Sequence, residues 1–460
     1  MARKDWWSCD GKGATDERKA ADDSFAHMGA TETVATPSAN QSITRRAVLA
    51  TAGIGALFLG SRRSALSQVA ISPDSGQSER NVLVVIFLRG GLDGISAVVP
   101  YREDRYYQLR PTLGLAAPSD RSKPGIDRTL DLDGFFGLNP ALEPLLPLFR
   151  EGRLGIIHAI GSEDRTRSHF EAMNAMERGL DTAKGSAASG WLARYLSTNE
   201  PASPSPLRAV AFGNIMPDSL RGATHAVALE SLAEFRLQHP PGVHGSSMEA
   251  AIGELYSQGK DAVRDAGRET LRVMHALRRL DPARYAPANG AVYPETDLGE
   301  GLKQVAALMR GRLGLEVAAL DTGGWDTHFG QGRSEGLLPS LLGDLARALA
   351  AFDRDLGADR SGVTVAVMTE FGRRCYENST LGTDHGRASV MFLMGGGVRG
   401  GKVYGEWPGM GANSLEEPGD LRVTTDYRSA LGEVLAKRMG CRELGSVFPG
   451  YAAKRAWIVG

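Results

Sequence analysis

Acidic and histidine side chains stand directly beside apolar, strand-like runs at four places in this chain. Carboxylates and neutral imidazoles are the groups that hold Zn, Mn, Mg or Ca in proteins, so these residues are candidate metal ligands. They are far apart in sequence, and only a fold can bring them together. The candidate ligands are Asp93, Asp326, His328, Glu370, Asp384 and His385.

The elements that must position these residues are predicted by an alternation of strand and helix patterns. Short runs that are apolar on both faces predict buried parallel strands over Asn81–Leu88, Leu154–Ile160, Leu207–Phe212, Leu315–Leu320 and Val363–Met368. Helical patterns lie between them, over Phe170–Gly179, Gly299–Arg312 and Leu337–Leu356. We therefore predict an α/β fold with a doubly wound, mostly parallel sheet flanked by helices. Ligands of such sheets bind in loops at the carboxyl ends of the strands.

Asp93 lies at the end of the first predicted strand, between Leu92 and Gly94. An Asp-Gly pair is also ordinary turn chemistry, which is the alternative to a metal ligand here. The preceding Gly90 and Gly91 allow a backbone to approach a ligand closely, and this favours a site.

Asp326 and His328 follow Gly323-Gly324 after another predicted strand. In extended chain, residues two positions apart point to the same side, so both side chains can face one ion. The alternative is an Asx-turn with a histidine on the surface.

Two further segments each offer a pair of functional groups. Asp384 and His385 are adjacent, so either a loop presents both to one ion, or one binds the ion and the other orients it. Glu370 and Arg373 follow a buried strand; they form either a salt bridge or a carboxylate ligand beside an anion-binding guanidinium.

The segment Thr166-Arg167-Ser168-His169 places two hydroxyl groups next to a base. A metal ion can activate such a hydroxyl as a nucleophile. The sequence contains no GxSxG elbow and no GxxxxGK[ST] loop, which argues against a serine hydrolase of the α/β-hydrolase type and against a P-loop protein.

The amino terminus has the features of an export signal. Arg45-Arg46 precedes an apolar stretch over residues 47–60, and Ala65-Leu66-Ser67 is a plausible cleavage site. The paired arginines resemble a twin-arginine signal, which exports folded proteins in bacteria. The alternative is an uncleaved anchor. Residues 1–67 are thus predicted to be a signal peptide with a long polar start, and residues 68–80 a linker. Translation is predicted to begin at Met1 or at Met28.

Composition excludes some functions. The net charge of −1 and the lack of a basic stripe with interleaved aromatic residues argue against nucleic-acid binding. Cys375 and Cys441, the two cysteines left after cleavage, form no CxxC motif, so neither a disulfide framework nor a cysteine zinc site is predicted.

Five segments of the chain are informative as a set: VLVVIFLRGGLDGISAVVPY, RSHFEAMNAMERG, GGWDTHFGQ, MTEFGRR and TDHGRASVMFLMGGGVRGGKVYGEWPG. Together they resemble the bacterial domain-of-unknown-function 1501 family. The resemblance extends from about residue 81 to the carboxyl terminus. The family typically carries a twin-arginine signal, and its biochemical function is not established.

That family is similar in turn to the alkaline phosphatase superfamily, which includes sulfatases. The similarity implies one large alkaline-phosphatase-like domain over residues 81–460, with a helical insertion around residues 246–312. It also implies a site with divalent metals held by Asp and His and with a Ser or Thr nucleophile. By position, Asp93, Asp326, His328 and His385 match metal ligands, and Ser168, or else Thr166, matches the nucleophile.

The chain departs from the superfamily at Glu370-Phe371-Gly372, where an Asp-His-Gly is usual. Phe371 cannot bind a metal, so one metal site is expected to be incomplete. We therefore expect an exported, metal-dependent hydrolase of phosphate or sulfate esters in which Arg373 neutralises the transferred group. The alternative is a non-catalytic secreted binding or assembly protein with a degenerate site. Family association adds a possible exported partner, of the domain-of-unknown-function 1800 family.

Overall fold

The computed structural model describes residues 81–180, 187–202, 204–235, 244–257, 262–454 and 456–460. The predicted signal peptide and linker, residues 1–80, lie outside the described residues. Among the described residues, no helix combines the length and the apolar character that crossing a membrane requires.

Two sheets contain the strands of the described chain. The strands are β1 Val82–Leu88, β2 Val98–Val99, β3 Leu130–Asp131, β4 Gly137–Leu138, β5 Leu154–Gly161, β6 Ala209–Phe212, β7 Ala226–Leu229, β8 Val317–Thr322, β9 Val363–Met368, β10 Ser389–Gly395, β11 Val403–Tyr404 and β12 Thr425–Asp426. β2, β4 and β3 form a small antiparallel sheet, and the remaining described strands form the main sheet.

Helices connect these strands. The α-helices are α1 Gly94–Ala97, α2 Asp104–Leu109, α3 Leu146–Arg150, α4 His169–Arg178, α5 Trp191–Thr198, α6 Gly245–Ser257, α7 Ala262–Leu280, α8 Asp297–Arg310, α9 Leu337–Leu356, α10 Tyr427–Lys437 and α11 Leu444–Val447. Short 3-10 helices cover Gly125–Asp127, Pro140–Leu145, Asp218–Leu220, Pro282–Arg284 and Gly357–Gly362. α4 ends at Gly179, whose φ of 63° lies in the left-handed region that glycine adopts easily.

The main sheet has the strand order β11-β5-β10-β9-β1-β8-β6-β7, and β12 also pairs with β5. β1 runs parallel to both β8 and β9, and β6 runs parallel to both β8 and β7. β10 is antiparallel to both of its neighbours, β5 and β9. The predicted doubly wound, mostly parallel α/β fold is therefore confirmed, with one reversed strand that the sequence did not indicate.

Both faces of the sheet are covered, which explains why its strands are apolar throughout. In β1, Val84 and Ile86 belong to a core cluster on one face, which includes residues of α8 and α9. Leu83 and Val85 belong to a second cluster on the other face, which includes residues of α5 and α10. Each such side chain contributes about 1.5–3 kcal/mol when it is fully buried.

The sheet topology brings the functional segments to one edge. The segments after β1, β5, β8 and β9 all leave the sheet at the carboxyl ends of strands that point the same way. β10 points the opposite way, so the segment that precedes it, which contains His385, begins at that same edge. The reversed strand is therefore what brings His385 to the carboxyl ends of the parallel strands.

Candidate metal centre

Three histidines from three separate segments meet at this edge. His169 is the first residue of α4, His328 lies in the segment after β8, and His385 precedes β10. The Nε2 atom of His385 lies 3.0 Å from Nε2 of His169 and 2.9 Å from Nε2 of His328.

Asp326 adds a carboxylate oxygen to these nitrogens. Its Oδ1 atom lies 3.1 Å from Nε2 of His385, 3.2 Å from Nε2 of His328 and 3.5 Å from Nε2 of His169. The four atoms form two triangles that share the edge between His385 and Asp326. Ligands about 2.0–2.1 Å from a tetrahedral zinc ion stand about 3.3 Å apart, so the spacing within each triangle suits a single small cation. His169, Asp326 and His385 form a group of candidate ligands whose binding atoms all lie within 4.8 Å of one another.

The other ring nitrogen of each histidine faces a hydrogen-bond acceptor. Nδ1 of His169 lies 2.6 Å from Oε1 of Glu370. Nδ1 of His328 lies 3.1 Å from Oδ1 of Asp384. Nδ1 of His385 lies 2.8 Å from the carbonyl oxygen of Arg167. A carboxylate or carbonyl at Nδ1 places the proton of a neutral imidazole there and leaves a lone pair on Nε2, which is the usual arrangement around metal-binding histidines.

Protons alone do not account for these close contacts. Nε2 of His385 contacts two other imidazole nitrogens, but a neutral ring with its proton on Nδ1 has only one lone pair at Nε2. That lone pair accepts a single hydrogen bond, so one nitrogen pair remains in repulsive contact. A cation at the shared edge satisfies all of these donor atoms at once. The residues present therefore fit a bound metal ion.

The charge states of Asp326 and His385 suit a cation, whereas the raised pKa of His169 favours a protonated ring that an ion would have to deprotonate. Burial alone would raise the pKa of Asp326, but the hydrogen bond and charge of Arg373, with His385 and His328, lower it to about 2. Burial lowers the pKa of His385 and favours its neutral form. The hydrogen bond with Glu370 raises the pKa of His169. The carboxylate is thus ionised, and His385 is neutral at neutral pH.

Glu370 and Asp384, which the sequence predicts as ligands, stand behind the histidines. Glu370 is 1% exposed, and its Oε1 accepts a hydrogen bond from the backbone N–H of Gly90 in addition to its contact with His169. Oδ1 of Asp384 accepts from the side-chain amide of Asn378 at 3.0 Å while it faces His328. Both carboxylates therefore orient histidine rings and lie on the side of those rings away from the cluster of Nε2 atoms.

Arg373, which the sequence predicts to face the substrate, has a side chain with no exposure to solvent. Its Nε donates to the carbonyl of Gly91 at 2.7 Å, and Nη1 donates to the carbonyl of Thr383 at 2.8 Å. Nη2 donates to Oδ1 of Asp326 at 2.5 Å. The guanidinium thus holds three loops together and keeps Asp326 ionised, and it is not placed to contact a substrate.

Asp93 lies outside the histidine cluster, in a fully buried ion pair. Its Oδ1 accepts from Nη2 of Arg110 at 3.0 Å and from the backbone N–H of Ser96, which caps α1. Burial would raise the pKa of Asp93, but Arg110 outweighs burial and lowers it. Gly90, predicted to let the backbone approach a ligand, instead lies against the protein's own backbone: a Cβ on Gly90 would lie 2.5 Å from the backbone nitrogen of Asp326.

Gln331 connects this ion pair to the histidine-bearing loops. Its Nε2 donates to Oδ2 of Asp93 at 2.7 Å. Its Oε1 accepts from Oγ1 of Thr327 at 2.8 Å and from Oγ1 of Thr383 at 2.7 Å. Thr327 directly precedes His328, and Thr383 lies just before the other loop histidine. One buried amide therefore fixes the two loops relative to each other.

The two hydroxyl candidates differ in their contacts. Oγ1 of Thr166 donates to Oε2 of Glu171 at 2.7 Å and accepts from the backbone N–H of Ser168 at 3.1 Å. Ser168 is the residue before α4, and its side chain makes no capping hydrogen bond. Of the two, Ser168 has the hydroxyl that is less engaged by the protein.

The sequence reasoning missed three residues of this region. His169 was considered only as a base beside Ser168, although a histidine at the start of a helix after a buried strand is a usable signal. Arg110 and Gln331 lie in irregular segments, where no periodic pattern marks a buried polar residue.

The family described as "Protein of unknown function (DUF1501)" matches residues 155–437 of the chain. This match includes the segments that carry His169, Asp326, His328 and His385. A comparison with curated proteins found no match.

Several solved structures are similar to the chain at low identity. Ps i-CgsB is 10% identical, with 81% of this chain and 74% of that chain covered and a TM-score of 0.32. The alkaline phosphatase from the Antarctic bacterium TAB5 is 10% identical, with 69% and 92% covered and a TM-score of 0.27. BT1596, a 2-O GAG sulfatase, is 11% identical, with 71% and 66% covered and a TM-score of 0.26. At these values the likenesses carry no argument about activity.

The buried Asp93–Arg110 pair generates a prediction about stability and pH. Asp93→Asn leaves the guanidinium without its counter-charge, so we expect the free energy of unfolding to fall by about 3–5 kcal/mol at neutral pH. The folded pKa of Asp93 is lowered, so its contribution is present above the unfolded pKa of about 3.9 and is lost as pH falls through the folded value. The difference between the two proteins should therefore shrink below about pH 4.

Urea unfolding from about pH 3 to about pH 7 measures this difference. Asp359→Asn, which changes an exposed carboxylate, serves as the control and should alter stability by less than about 0.5 kcal/mol. A destabilisation by Asp93→Asn that stays constant down to the lowest pH would show that the Asp93 charge is not its source.

Proposed function

The chain belongs to the DUF1501 family of proteins of unknown function, and we propose that this member is a metal-dependent hydrolase of phosphate or sulfate esters. The observation that carries the proposal is the convergence of His169, His328 and His385 with Asp326, each histidine having an acceptor at its second nitrogen. A set of this kind serves metal-assisted hydrolysis.

The donor set narrows the identity of the ion. Three imidazole nitrogens and one carboxylate oxygen suit zinc and similar transition ions, whereas magnesium and calcium prefer oxygen ligands throughout. Such an ion supplies a Lewis acid towards an ester oxygen and increases the acidity of a hydroxyl group beside it. Of the metals that the sequence leaves open, we therefore favour zinc, with manganese next.

The protein's own groups orient the histidines, keep Asp326 ionised and bind the anionic group of the ester. Glu370, Asp384 and the Arg167 carbonyl fix the histidine rings, and Arg373 keeps Asp326 anionic. The amino terminus of α4 begins at His169, so its first N–H groups, which have no acceptor within the helix, lie beside the cluster. Helix amino termini bind phosphate and sulfate groups, because the free N–H groups and the helix dipole both favour an anion there.

Ser168 is the residue that we assign as nucleophile. Its hydroxyl adjoins His169 in the chain and does not cap α4, whereas the hydroxyl of Thr166 is bound to Glu171. Attack by Oγ on phosphorus or sulfur forms one bond while the bond to the alcohol oxygen breaks, and the serine proton ends on the departing alcohol. Water then releases phosphate or sulfate from the serine.

One observation favours a second function, a non-catalytic binding or assembly protein. Phe371 packs on the rings of His169 and His385, with ring centroids 4.8 Å and 5.1 Å apart, and so occupies space beside the cluster that a further ligand would need. In that case the ion stabilises the fold, and a protein partner, such as an exported protein of the domain-of-unknown-function 1800 family, replaces the ester.

We also propose that the protein is exported. The support is the Arg45-Arg46 pair followed by the apolar residues 47–60, which lie outside the described residues. A twin-arginine route fits a metalloprotein, since it carries proteins that have already folded and so already hold their ion.

Metal content is the first test of the proposal. Elemental mass spectrometry of the purified protein should find about one transition ion per chain. His385→Ala and His169→Ala should lose it, because each removes a nitrogen of the cluster. Glu370→Gln keeps the ligands but weakens the orientation of His169, so affinity for zinc should fall about 10–100-fold.

His275→Ala is the matched control for metal content, since His275 is an exposed histidine on α7, away from the cluster, and should leave the ion in place. A protein that folds but holds no ion, even after incubation with zinc, would contradict the proposal.

Turnover tests the nucleophile. With p-nitrophenyl phosphate and p-nitrophenyl sulfate as substrates, Ser168→Ala should lower kcat by about a thousandfold or more while metal content is unchanged. Thr166→Ala, which removes a hydroxyl bound to Glu171, should lower kcat by less than about tenfold. Unchanged turnover in Ser168→Ala would remove the assignment. A metal-loaded wild type without turnover on any ester would favour the binding protein.

A further inference from the structure

Two phenylalanines next to the cluster are exposed to solvent. Phe170 directly follows His169 and is 87% exposed, and Phe329 directly follows His328 and is 73% exposed. We propose that these two rings bind the alcohol part of the substrate, so that the preferred ester has an apolar, planar alcohol such as a phenol. This inference rests on the proposed function and adds its substrate class.

The position of the rings is set by the cluster itself. Neighbouring Cα atoms lie about 3.8 Å apart, so each phenylalanine begins one residue from a candidate ligand. The two segments come from different parts of the chain, yet Nε2 atoms of His169 and His328 both contact Nε2 of His385. When the anionic group of a molecule binds at the cluster, the backbone of one phenylalanine therefore lies close to that molecule on each of the two segments.

Phe329 is exposed on a loop whose backbone is held by hydrogen bonds on both sides of it. The carbonyl of His328 accepts hydrogen bonds from Oγ1 of Thr380 at 2.6 Å and from the side chain of Asn378 at 3.0 Å. The next residue, Gly330, donates its backbone N–H to the carbonyl of Thr380 at 3.0 Å. With hydrogen bonds on both sides of Phe329, the backbone holds the ring at the surface, where a bound ligand can cover it.

A third apolar side chain lies on the same loops. Leu381 is 53% exposed and has a φ of 58°, a conformation that a leucine adopts at a cost. Its carbonyl accepts the backbone N–H of Gln331 at 2.9 Å, which ties it to the loop of Phe329. Leu381 therefore places another exposed apolar residue on a segment that is hydrogen-bonded to the loop of Phe329.

The chemistry of the two parts of the site is complementary to one kind of molecule. The ion and the amino terminus of α4 attract an anionic group. The aromatic faces of Phe170 and Phe329 offer stacking or edge contacts, which favour a planar apolar group over a polar sugar or glycerol. An aryl phosphate or aryl sulfate has both parts.

Binding of two phosphonates separates this inference from the hydrolase proposal, because phosphonates are not hydrolysed. Titration calorimetry on the zinc-loaded protein should give phenylphosphonate about tenfold higher affinity than methylphosphonate, about 1.4 kcal/mol. Phe170→Ala and Phe329→Ala should each reduce this preference and leave the affinity for methylphosphonate unchanged. Val292→Ala, at an 82% exposed valine in a segment that contacts the carboxyl end of α9 through Asn289, is the control and should change neither affinity.

The outcomes separate the two proposals. Equal affinities in the wild type, or a preference that survives both phenylalanine substitutions, would overturn the assignment of the rings and leave the hydrolase standing. If the phenylalanine variants bind neither phosphonate, the assignment is overturned as well, because the rings would then stabilise the cluster and would not bind the alcohol part of the substrate. If the wild type binds neither phosphonate, the proposed function fails together with this inference.

Discussion

Nε2 of His385 and Oδ1 of Asp326 each lie 2.9 to 3.5 Å from two further imidazole nitrogens, and lone pairs this close repel unless a cation lies between them. This constraint explains most of the surrounding structure. Glu370, Asp384 and a backbone carbonyl each face an Nδ1 atom as hydrogen-bond acceptors, so a neutral ring directs its Nε2 lone pair towards the cluster. Reversed β10 supplies the third histidine at the edge where the parallel strands end. Each of these features is consistent with the proposed ion at these atoms.

Two buried polar groups keep the loops in place for that purpose. Arg373 binds the loops after β1, β8 and β9 through carbonyl oxygens and through Asp326. Gln331 joins the Asp93–Arg110 pair to residues beside both loop histidines. Both groups are buried and satisfied, and a satisfied buried network favours one arrangement, because leaving any member unpaired costs free energy. The buried hydrogen bonds of Arg373 and Gln331 therefore hold the loops that carry the cluster in one arrangement.

Much of the fold was predictable from sequence, because apolar runs and helical periodicity are local. The strand Val363–Met368 and the helix Leu337–Leu356 have the bounds that their patterns predict. The direction of β10 was not predictable, since an apolar run reads the same in a parallel and an antiparallel strand. For the site, the sequence indicated that Asp326, His328 and His385 lie at strand ends, and the structure brings their side chains together. It could not separate ligands from supporting carboxylates, because that depends on distances between distant segments, as with Glu370 behind His169.

Anomalous X-ray diffraction from crystals of the zinc-loaded protein tests the metal centre most directly. The account predicts one strong zinc peak with Nε2 of His169, His328 and His385 and an oxygen of Asp326 about 2.0–2.2 Å away. Glu370 and Asp384 should remain behind their histidines without touching the ion. A zinc peak at Asp93, or an ordered cluster with no peak under saturating zinc, would contradict the account.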